Sequence, residues 1–244
     1  MVDLIWMRVL TIVHQADAGP GVFAQAAADA GHELVEWRPP DAPPPEPDGY
    51  GAAIVLGGAI NVDEEDEHPW LRDEKRLLRG LVDNSSPVLG VCLGAQLLAE
   101  VGGGSAGRAS RSEIGWHDVE LTAEAADDPV VGGLPQRFEA FQWHSFEATP
   151  PPGASALARS PVCVQAYRAA ERSWGIQFHA EVTRATIERW IGKRANDPDA
   201  ARAGIDPAEL LADTRGEIER WNELGRALCG RFLAVADCVP GAKA

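Results

Sequence analysis

The sequence places a cysteine between two glycines in the stretch Gly90-Val91-Cys92-Leu93-Gly94-Ala95-Gln96. Residues 87–89, just before it, predict a short buried strand, and residues 95–101 form a helix-favouring run that is followed by three glycines. Cys92 is therefore expected at a sharp corner between a strand and a helix. The dipole of the following helix favours the thiolate, which is the nucleophilic form. By itself the corner is equally consistent with a buried cysteine that acts as a small hydrophobic residue.

A second motif follows another apolar strand much later in the chain. Residues 174–178 predict that strand, and His179 and Glu181 come directly after it. In an extended backbone, side chains two residues apart face the same side, so Glu181 can orient the imidazole of His179. A thiol nucleophile needs such a base, and the base needs an acceptor on its other nitrogen. This pair therefore favours Cys92 as a nucleophile.

Both motifs resemble those of the class I (triad-type) glutamine amidotransferases. The residues that match the family's Gly-x-Cys-x-Gly-x-Gln motif are Gly90, Cys92, Gly94 and Gln96. The family's Phe-His-Pro-Glu motif is matched by Phe178, His179 and Glu181, with Ala180 in place of the proline. The resemblance extends over roughly residues 8–182. It is closest to stand-alone members similar to the glutaminase part of GMP synthetase.

The order of the predicted elements indicates an α/β fold. Strands alternate with helices in the first half, which predicts a parallel sheet covered on both faces, with functional groups at the carboxyl ends of its strands. The resemblance likewise implies a flavodoxin-like, parallel-sheet-based three-layer sandwich. Residues 1–182 are expected to form the catalytic domain. Residues 183–244 are expected to form a helical C-terminal extension packed on it, with an apolar stripe along its longest helix.

The resemblance implies hydrolysis of the glutamine side-chain amide to glutamate and ammonia. It makes Cys92 the nucleophile, His179 the general base and acid, and Glu181 the group that orients His179. It also implies an oxyanion hole formed by two backbone N–H groups. One belongs to Gly58, in a glycine-rich turn after a predicted strand, and the other belongs to Leu93.

Five further residues are candidates for binding the substrate: Gly57, Gln96, Glu113, Trp116 and His144. Glu113 and Trp116 are equally consistent with a strand that carries a packed indole. Related proteins often have an aspartate two residues after the histidine at position 144, whereas this sequence has Phe146 there. His144 is therefore predicted to line the mouth of the pocket and is given no catalytic role.

Two alternatives use the same residues differently. The first is a γ-glutamyl hydrolase or transferase acting on a small γ-glutamyl amide or peptide. The second is a non-catalytic binding or regulatory module, which the departures at Ala59, Ala180 and Phe146 favour and the intact cysteine, histidine and glutamate disfavour. The sequence has no Gly-x-x-x-x-Gly-Lys loop for ATP, so any chemistry that uses the ammonia is expected in a separate synthetase.

Composition narrows the partners and the compartment. With 22 basic and 37 acidic residues the net charge is −15, which disfavours nucleic acid and anionic membranes as partners. No apolar run approaches a membrane span and no signal peptide is evident, so a cytoplasmic enzyme is expected. The four cysteines have no metal-ligand spacing, and the acidic run 63–67 is predicted to be a solvated loop. No metal and no cofactor are predicted.

Overall fold

A computed structural model describes residues 6–238. Residues 1–5 of the predicted catalytic domain and residues 239–244 of the predicted C-terminal extension lie outside the described residues. No helix within residues 6–238 combines the length and the apolar character needed to span a membrane.

A single mixed sheet is the centre of the fold. Its nine strands within the described residues are β1 Arg8–Ile12, β2 Glu33–Trp37, β3 Ala52–Val55, β4 Val88–Val91, β5 Ser105–Leu121, β6 Arg137–Thr149, β7 Ser155–Arg159, β8 Val164–Ala170 and β9 Ser173–Ile176. They lie in the order β2-β1-β3-β4-β9-β8-β7-β5-β6. The first five in this order are mutually parallel, and each later strand is antiparallel to its neighbour. The sheet therefore has a parallel half and an antiparallel half.

Helices cover the sheet on both faces. The α-helices are α1 Val22–Asp29, α2 Trp70–Asp83, α3 Leu93–Val101, α4 Arg184–Lys193, α5 Pro198–Arg202 and α6 Pro207–Asp237. Short 3-10 turns cover Pro47–Gly49, Ala123–Ala125, Val131–Gly133 and Arg194–Asn196.

The parallel strands are buried on both faces, because alternate side chains enter different cores. In β3, Ile54 belongs to a core shared with α1, α4 and α6, whereas Ala53 and Val55 belong to a core shared with α2 and α3. The result is three layers, helix on sheet on helix. The predicted α/β three-layer sandwich is confirmed.

The antiparallel half differs most from the sequence-based prediction. β9 overlaps the strand predicted over residues 174–178, and it is an antiparallel neighbour of β8. However, β5 begins at Ser105, well ahead of the strand expected around Glu113 and Trp116, and β7 was not predicted. The first part of β5 and all of β7 contain few large apolar residues, so they lack the hydrophobic pattern by which strands are recognised.

The last helix packs closely against the strand end that carries His179. Trp221 and Phe232 of α6 are almost completely buried in the core shared with α1. A Cβ on Gly225 would lie 2.0 Å from the carbonyl oxygen of Ala180, so the two backbones touch here. Only glycine permits this approach.

Candidate active site

Cys92 occupies a strained corner between β4 and α3. Its φ is +52° and its ψ is −108°, a conformation that L-residues rarely adopt. Two glycines permit the corner. A Cβ on Gly94 would lie 2.1 Å from the carbonyl oxygen of Val55, and one on Gly90 would lie 2.5 Å from the carbonyl oxygen of Gly94. The corner places the thiol at the first turn of α3, beside its unpaired backbone N–H groups.

His179 and Glu181 form a buried pair at the end of β9. The Nδ1 atom of His179 lies 2.7 Å from Glu181 Oε1, and each residue is at most 3% exposed. The backbone of His179 is held on both sides, because its N–H donates to the Phe141 carbonyl at 2.9 Å and its carbonyl accepts from the Trp221 indole at 2.8 Å. The ring also meets the Trp190 indole edge to face at 4.9 Å. These contacts fix the direction of the imidazole.

The charge on His179 is set by its neighbours. Burial lowers the pKa of the imidazole, but the negative Glu181 and the adjacent Cys92 sulfur oppose it and raise the pKa of His179 to about 10. The ring is therefore an imidazolium at neutral pH. It can donate a proton to a leaving group near the sulfur.

The glycine turn after β3 brings the remaining parts together. A Cβ on Gly57 would lie 2.8 Å from His179 Cε1 and 3.4 Å from Cys92 Cβ. One on Gly58 would lie 3.1 Å from Leu93 Cδ2. Within residues 6–238, the N–H groups of Gly58 and Leu93 donate no hydrogen bond to a protein acceptor. Two backbone donors without a protein acceptor thus belong to residues that line the same cavity as Cys92.

Cys92 opens into a cavity of about 570 Å³. The catalytic and substrate-binding residues predicted from sequence that line it are Gly58, Cys92, Leu93, Gln96, His144 and His179. The opposite wall comes from the predicted C-terminal extension, mainly from residues 190–202.

Polar contacts between side chains attach that wall to the rest of the chain, and the indole N–H of Trp190 also donates to the Asp17 carbonyl at 3.1 Å. The side-chain contacts include Lys193 to Asp17 at 2.6 Å, Arg108 to Asp199 at 3.0 Å, and the Trp143 indole N–H to Asp197 at 2.9 Å. The predicted extension thus contributes to the same cavity as the cysteine.

The sequence profile of the family "Glutamine amidotransferase class-I" matches residues 23–191. The chain belongs to this family.

Curated relatives share the amidotransferase region at moderate identity. The chain is 36% identical over 135 residues to a GMP synthase of Thermomicrobium roseum, a match that covers 55% of this chain and 24% of that protein. It is 32% identical over 155 residues to a glutamine-hydrolysing GMP synthase subunit of Ignicoccus hospitalis, covering 62% of this chain and 77% of that one. The match thus spans about a quarter of the first relative's length.

Two solved structures match nearly the whole amidotransferase chain. A glutamine amidotransferase of Thermotoga maritima superposes with a TM-score of 0.82 at 29% identity, covering 93% of this chain and 97% of that one. One from Methylobacillus flagellatus gives 0.81 at 28% identity, covering 93% and 94%. The likeness therefore includes most of the region predicted as an extension.

The predicted substrate-binding residues fall into two groups. Gln96 and His144 line the cavity, and Gly57 lies against His179 and Cys92. Gln96 is held by hydrogen bonds to the Phe146 carbonyl at 2.9 Å and to Gln177 Oε1 at 3.3 Å. In contrast, Glu113 and Trp116 are not among the lining residues.

Trp116 lies on the α6 side of the sheet. Its indole donates to Thr214 at 3.1 Å and packs on Phe141 and Trp221. This is the packed indole that the sequence also allowed.

Glu113 belongs to a separate buried group, which we call the Glu113 cluster: Glu113, His144 and Cys163. Glu113 Oε2 accepts from Ser160 at 3.0 Å and from Gln165 at 2.8 Å, and it lies 3.3 Å from His144 Nε2. Burial raises the carboxyl pKa of Glu113, but the His144 ring, the Ser160 hydroxyl and His117 together outweigh burial and lower that pKa. Amide and hydroxyl donors already occupy the face that a cation would need, so the cluster is arranged as a hydrogen-bond network.

Sequence reasoning missed a second histidine–glutamate pair beside the glycine turn, His14 and Glu74. The signals were present. His14 directly follows the strand-like run 8–13, which places it at the same sheet edge as Gly57. Glu74 interrupts the apolar stripe of α2 between Leu71 and Leu78. A carboxylate on an apolar helix face is buried only when it has a partner.

Proposed function

We propose that this amidotransferase hydrolyses the side-chain amide of glutamine through a γ-glutamyl thioester on Cys92. The observation that carries the proposal is the convergence of four groups at one cavity. They are a sulfur on a strained corner, an imidazolium held at 2.7 Å by a buried carboxylate, and two unpaired backbone N–H groups. This is the arrangement that acyl transfer by a thiol requires.

In the first half-reaction the Cys92 thiolate attacks the amide carbon, and a carbon–sulfur bond forms. The N–H groups of Gly58 and Leu93 stabilise the oxyanion of the tetrahedral adduct. His179 then gives its proton to the amide nitrogen, the carbon–nitrogen bond breaks, and ammonia leaves. Glu181 keeps the imidazole oriented and stabilises its charged form.

In the second half-reaction His179 accepts a proton from water, and the resulting hydroxide attacks the thioester carbon. The carbon–sulfur bond breaks, glutamate leaves, and the thiolate–imidazolium pair is restored. No cofactor takes part in either step.

We further propose that the ammonia passes to a separate synthetase. The support is the identity to a protein named as one subunit of a GMP synthase and the absence of a Walker-type ATP loop in this sequence. A working thiolate needs a reducing compartment, which supports the cytoplasm as the proposed location.

A γ-glutamyl amide larger than glutamine is the second candidate substrate. A cavity of about 570 Å³ is in the size range that accommodates drug-sized ligands, which are larger than free glutamine. The proposed chemistry is the same for both substrates. Only the leaving amine differs.

The test is to incubate the purified full chain with glutamine, or with a panel of γ-glutamyl amides, and to measure glutamate and the released amine. We expect release from glutamine, with kcat at least about 10⁴-fold lower in Cys92→Ala. Release only from larger amides would favour the second candidate. If no substrate is cleaved and a diazoketone analogue of glutamine fails to label Cys92, the chain is a non-catalytic module.

A further inference from the structure

His14 lies between the glycine turn and α2, in contact with both. Its Nδ1 atom is 3.1 Å from the carbonyl oxygen of Gly57, and its Nε2 atom is 3.0 and 3.1 Å from the two carboxylate oxygens of Glu74. Glu74 is completely buried. The Trp70 indole stacks on the His14 ring, with the ring centroids 5.8 Å apart. The ring is therefore fixed in position by two elements, the glycine turn and α2.

Both ring nitrogens of His14 face atoms that only accept hydrogen bonds. A carbonyl oxygen and a carboxylate have no proton to give, so each nitrogen must carry one and the ring is an imidazolium. The charge balance agrees, because burial lowers the pKa of His14, whereas Glu74 and the backbone carbonyls of Gly57 and Leu56 together raise it by more. Gly57 thus accepts a charge-assisted hydrogen bond, which is stronger than a neutral one.

That hydrogen bond fixes the direction of the neighbouring N–H group. The Gly57 carbonyl and the Gly58 N–H belong to the same peptide unit, which is planar and trans, so they point in opposite directions. A glycine pair would otherwise rotate easily, because neither residue has a Cβ. With the carbonyl held by His14, the N–H must face the other way, and Gly58 lines the cavity beside Cys92.

We infer that His14 and Glu74 are positioning residues that hold the Gly57–Gly58 peptide in the orientation required of an oxyanion hole. The inference rests on the proposed function, because it assigns the Gly58 N–H to the oxyanion. Two more contacts restrict the turn in the same sense. The Ala59 N–H donates to Gln15 at 2.9 Å, and a Cβ on Gly58 would lie 3.0 Å from His14 Cβ.

The alternative is that His14 and Glu74 only fill the core. The two roles differ in what a mutation changes. A purely structural residue affects the stability of the fold or the whole site, whereas a residue that orients an oxyanion donor affects the transition state and leaves ground-state binding and thiol chemistry intact.

The experiment compares wild type with His14→Leu, which removes both hydrogen bonds, and with His14→Asn, whose amide nitrogen can replace the Nδ1 donor. His32→Asn is the matched control, since His32 is also buried but faces Asp237 at 3.4 Å. Three quantities are measured: kcat and KM for glutamine, inhibition by the γ-semialdehyde of glutamate, and alkylation of Cys92 by iodoacetamide. The aldehyde adds to the thiol to give a tetrahedral adduct, whereas alkylation involves no oxyanion.

For His14→Leu we expect kcat to fall about 10²-fold with KM changed less than about threefold. Affinity for the aldehyde should fall in parallel, and the alkylation rate should stay within about twofold of wild type. His14→Asn should recover at least about tenfold of the lost kcat, and His32→Asn should match wild type.

Four results would overturn the inference while leaving glutamine hydrolysis established. His14→Leu could keep the wild-type kcat, it could raise KM alone, its alkylation rate could fall as far as kcat, or His14→Asn could be no better than His14→Leu. A wild-type chain that releases no ammonia would instead overturn the proposed function and this inference together.

Discussion

Two buried groups of cysteine, histidine and glutamate lie within residues 6–238. One, the elbow cluster, consists of Cys92, His179 and Glu181 at the strand ends of the parallel half. The other is the Glu113 cluster in the antiparallel half. In both, a histidine nitrogen lies within 3.3 Å of a carboxylate oxygen and every member is nearly inaccessible to solvent. Residue types and burial therefore do not separate a candidate catalytic group from a structural one.

The two clusters differ in which group is the neighbour of the thiol, the imidazole or the carboxylate. In the elbow cluster the Glu181 carboxylate is hydrogen-bonded to Nδ1 of His179. The other ring nitrogen, Nε2, is therefore available to the Cys92 sulfur. In the Glu113 cluster the carboxylate itself is the neighbour of the thiol, since Cys163 Sγ lies 3.7 Å from Glu113 Oε2. Burial and the Glu113 charge raise the pKa of Cys163 well above its usual range. A thiol beside a carboxylate stays protonated, whereas a thiol beside an imidazolium is activated.

The largest expected effect comes from replacing the carboxylate of the elbow cluster. In Glu181→Gln the side-chain amide can donate to Nδ1, which stabilises the tautomer with its proton on the wrong nitrogen. The charge that stabilises the imidazolium is also lost. We expect kcat for glutamine to fall about 10³–10⁴-fold, measured by glutamate release.

The control for this variant is Glu188→Gln, since Glu188 pairs with Arg184 on the exposed face of α4. It should behave as wild type. If Glu181→Gln kept more than about a tenth of the activity, orientation by the carboxylate would be unimportant and the two clusters would differ only in their backbones.

The sequence was sufficient for the elbow cluster because each of its parts is local. Cys92 and its two glycines lie within five residues, His179 and Glu181 are two residues apart, and both follow strands with clear apolar patterns. Parallel strands then bring these ends together without any further information.

The parts that were missed depend on contacts between remote segments. His14 meets Glu74 across 60 residues, and Asp197 meets the Trp143 indole across 54 residues. The residues of β7 and of the first part of β5 are mostly small or polar, so their pairing is decided by neighbouring strands rather than by their own periodicity. Glu113 was a substrate candidate because the resemblance gives the region after the helix that follows Cys92 a part in holding the substrate. Sequence alone could not show that Ser160 and Gln165 contact Glu113.

The pH dependence of glutamine hydrolysis tests the protonation state of His179 and its dependence on Glu181. Since the pKa of His179 is raised to about 10, the ring can protonate the leaving ammonia up to that pH. We expect kcat/KM to decline above about pH 10 by roughly tenfold per unit. In Glu181→Gln the residual activity should decline at a lower pH, because the charge that raises the pKa has been removed.

The same shift makes a prediction for stability. A histidine whose pKa is higher in the folded state stabilises the fold fully below its ordinary value of 6.5, and this contribution is lost as the pH rises toward about 10. The wild-type free energy of unfolding, measured by denaturant titration, should therefore fall over that range by more than that of His179→Gln.

In the kinetic measurement, a decline of kcat/KM that already begins near pH 7 would contradict the assignment of a stable imidazolium at His179.

The smallest expected effect tests the Glu113 cluster. Cys163→Ala removes a weak donor from Glu113 but leaves the hydrogen bonds from Ser160 and Gln165 in place. We expect a loss of about 1 kcal/mol in the free energy of unfolding, from the small cavity, and a kcat within about twofold of wild type. His144 of the same cluster lines the cavity, so an unchanged kcat would mean that the hydrogen-bond network holds this wall without the thiol. A kcat loss approaching that of Glu181→Gln would show instead that the Glu113 cluster takes part in the reaction. The neighbour of the thiol would then not distinguish a catalytic cluster from a structural one.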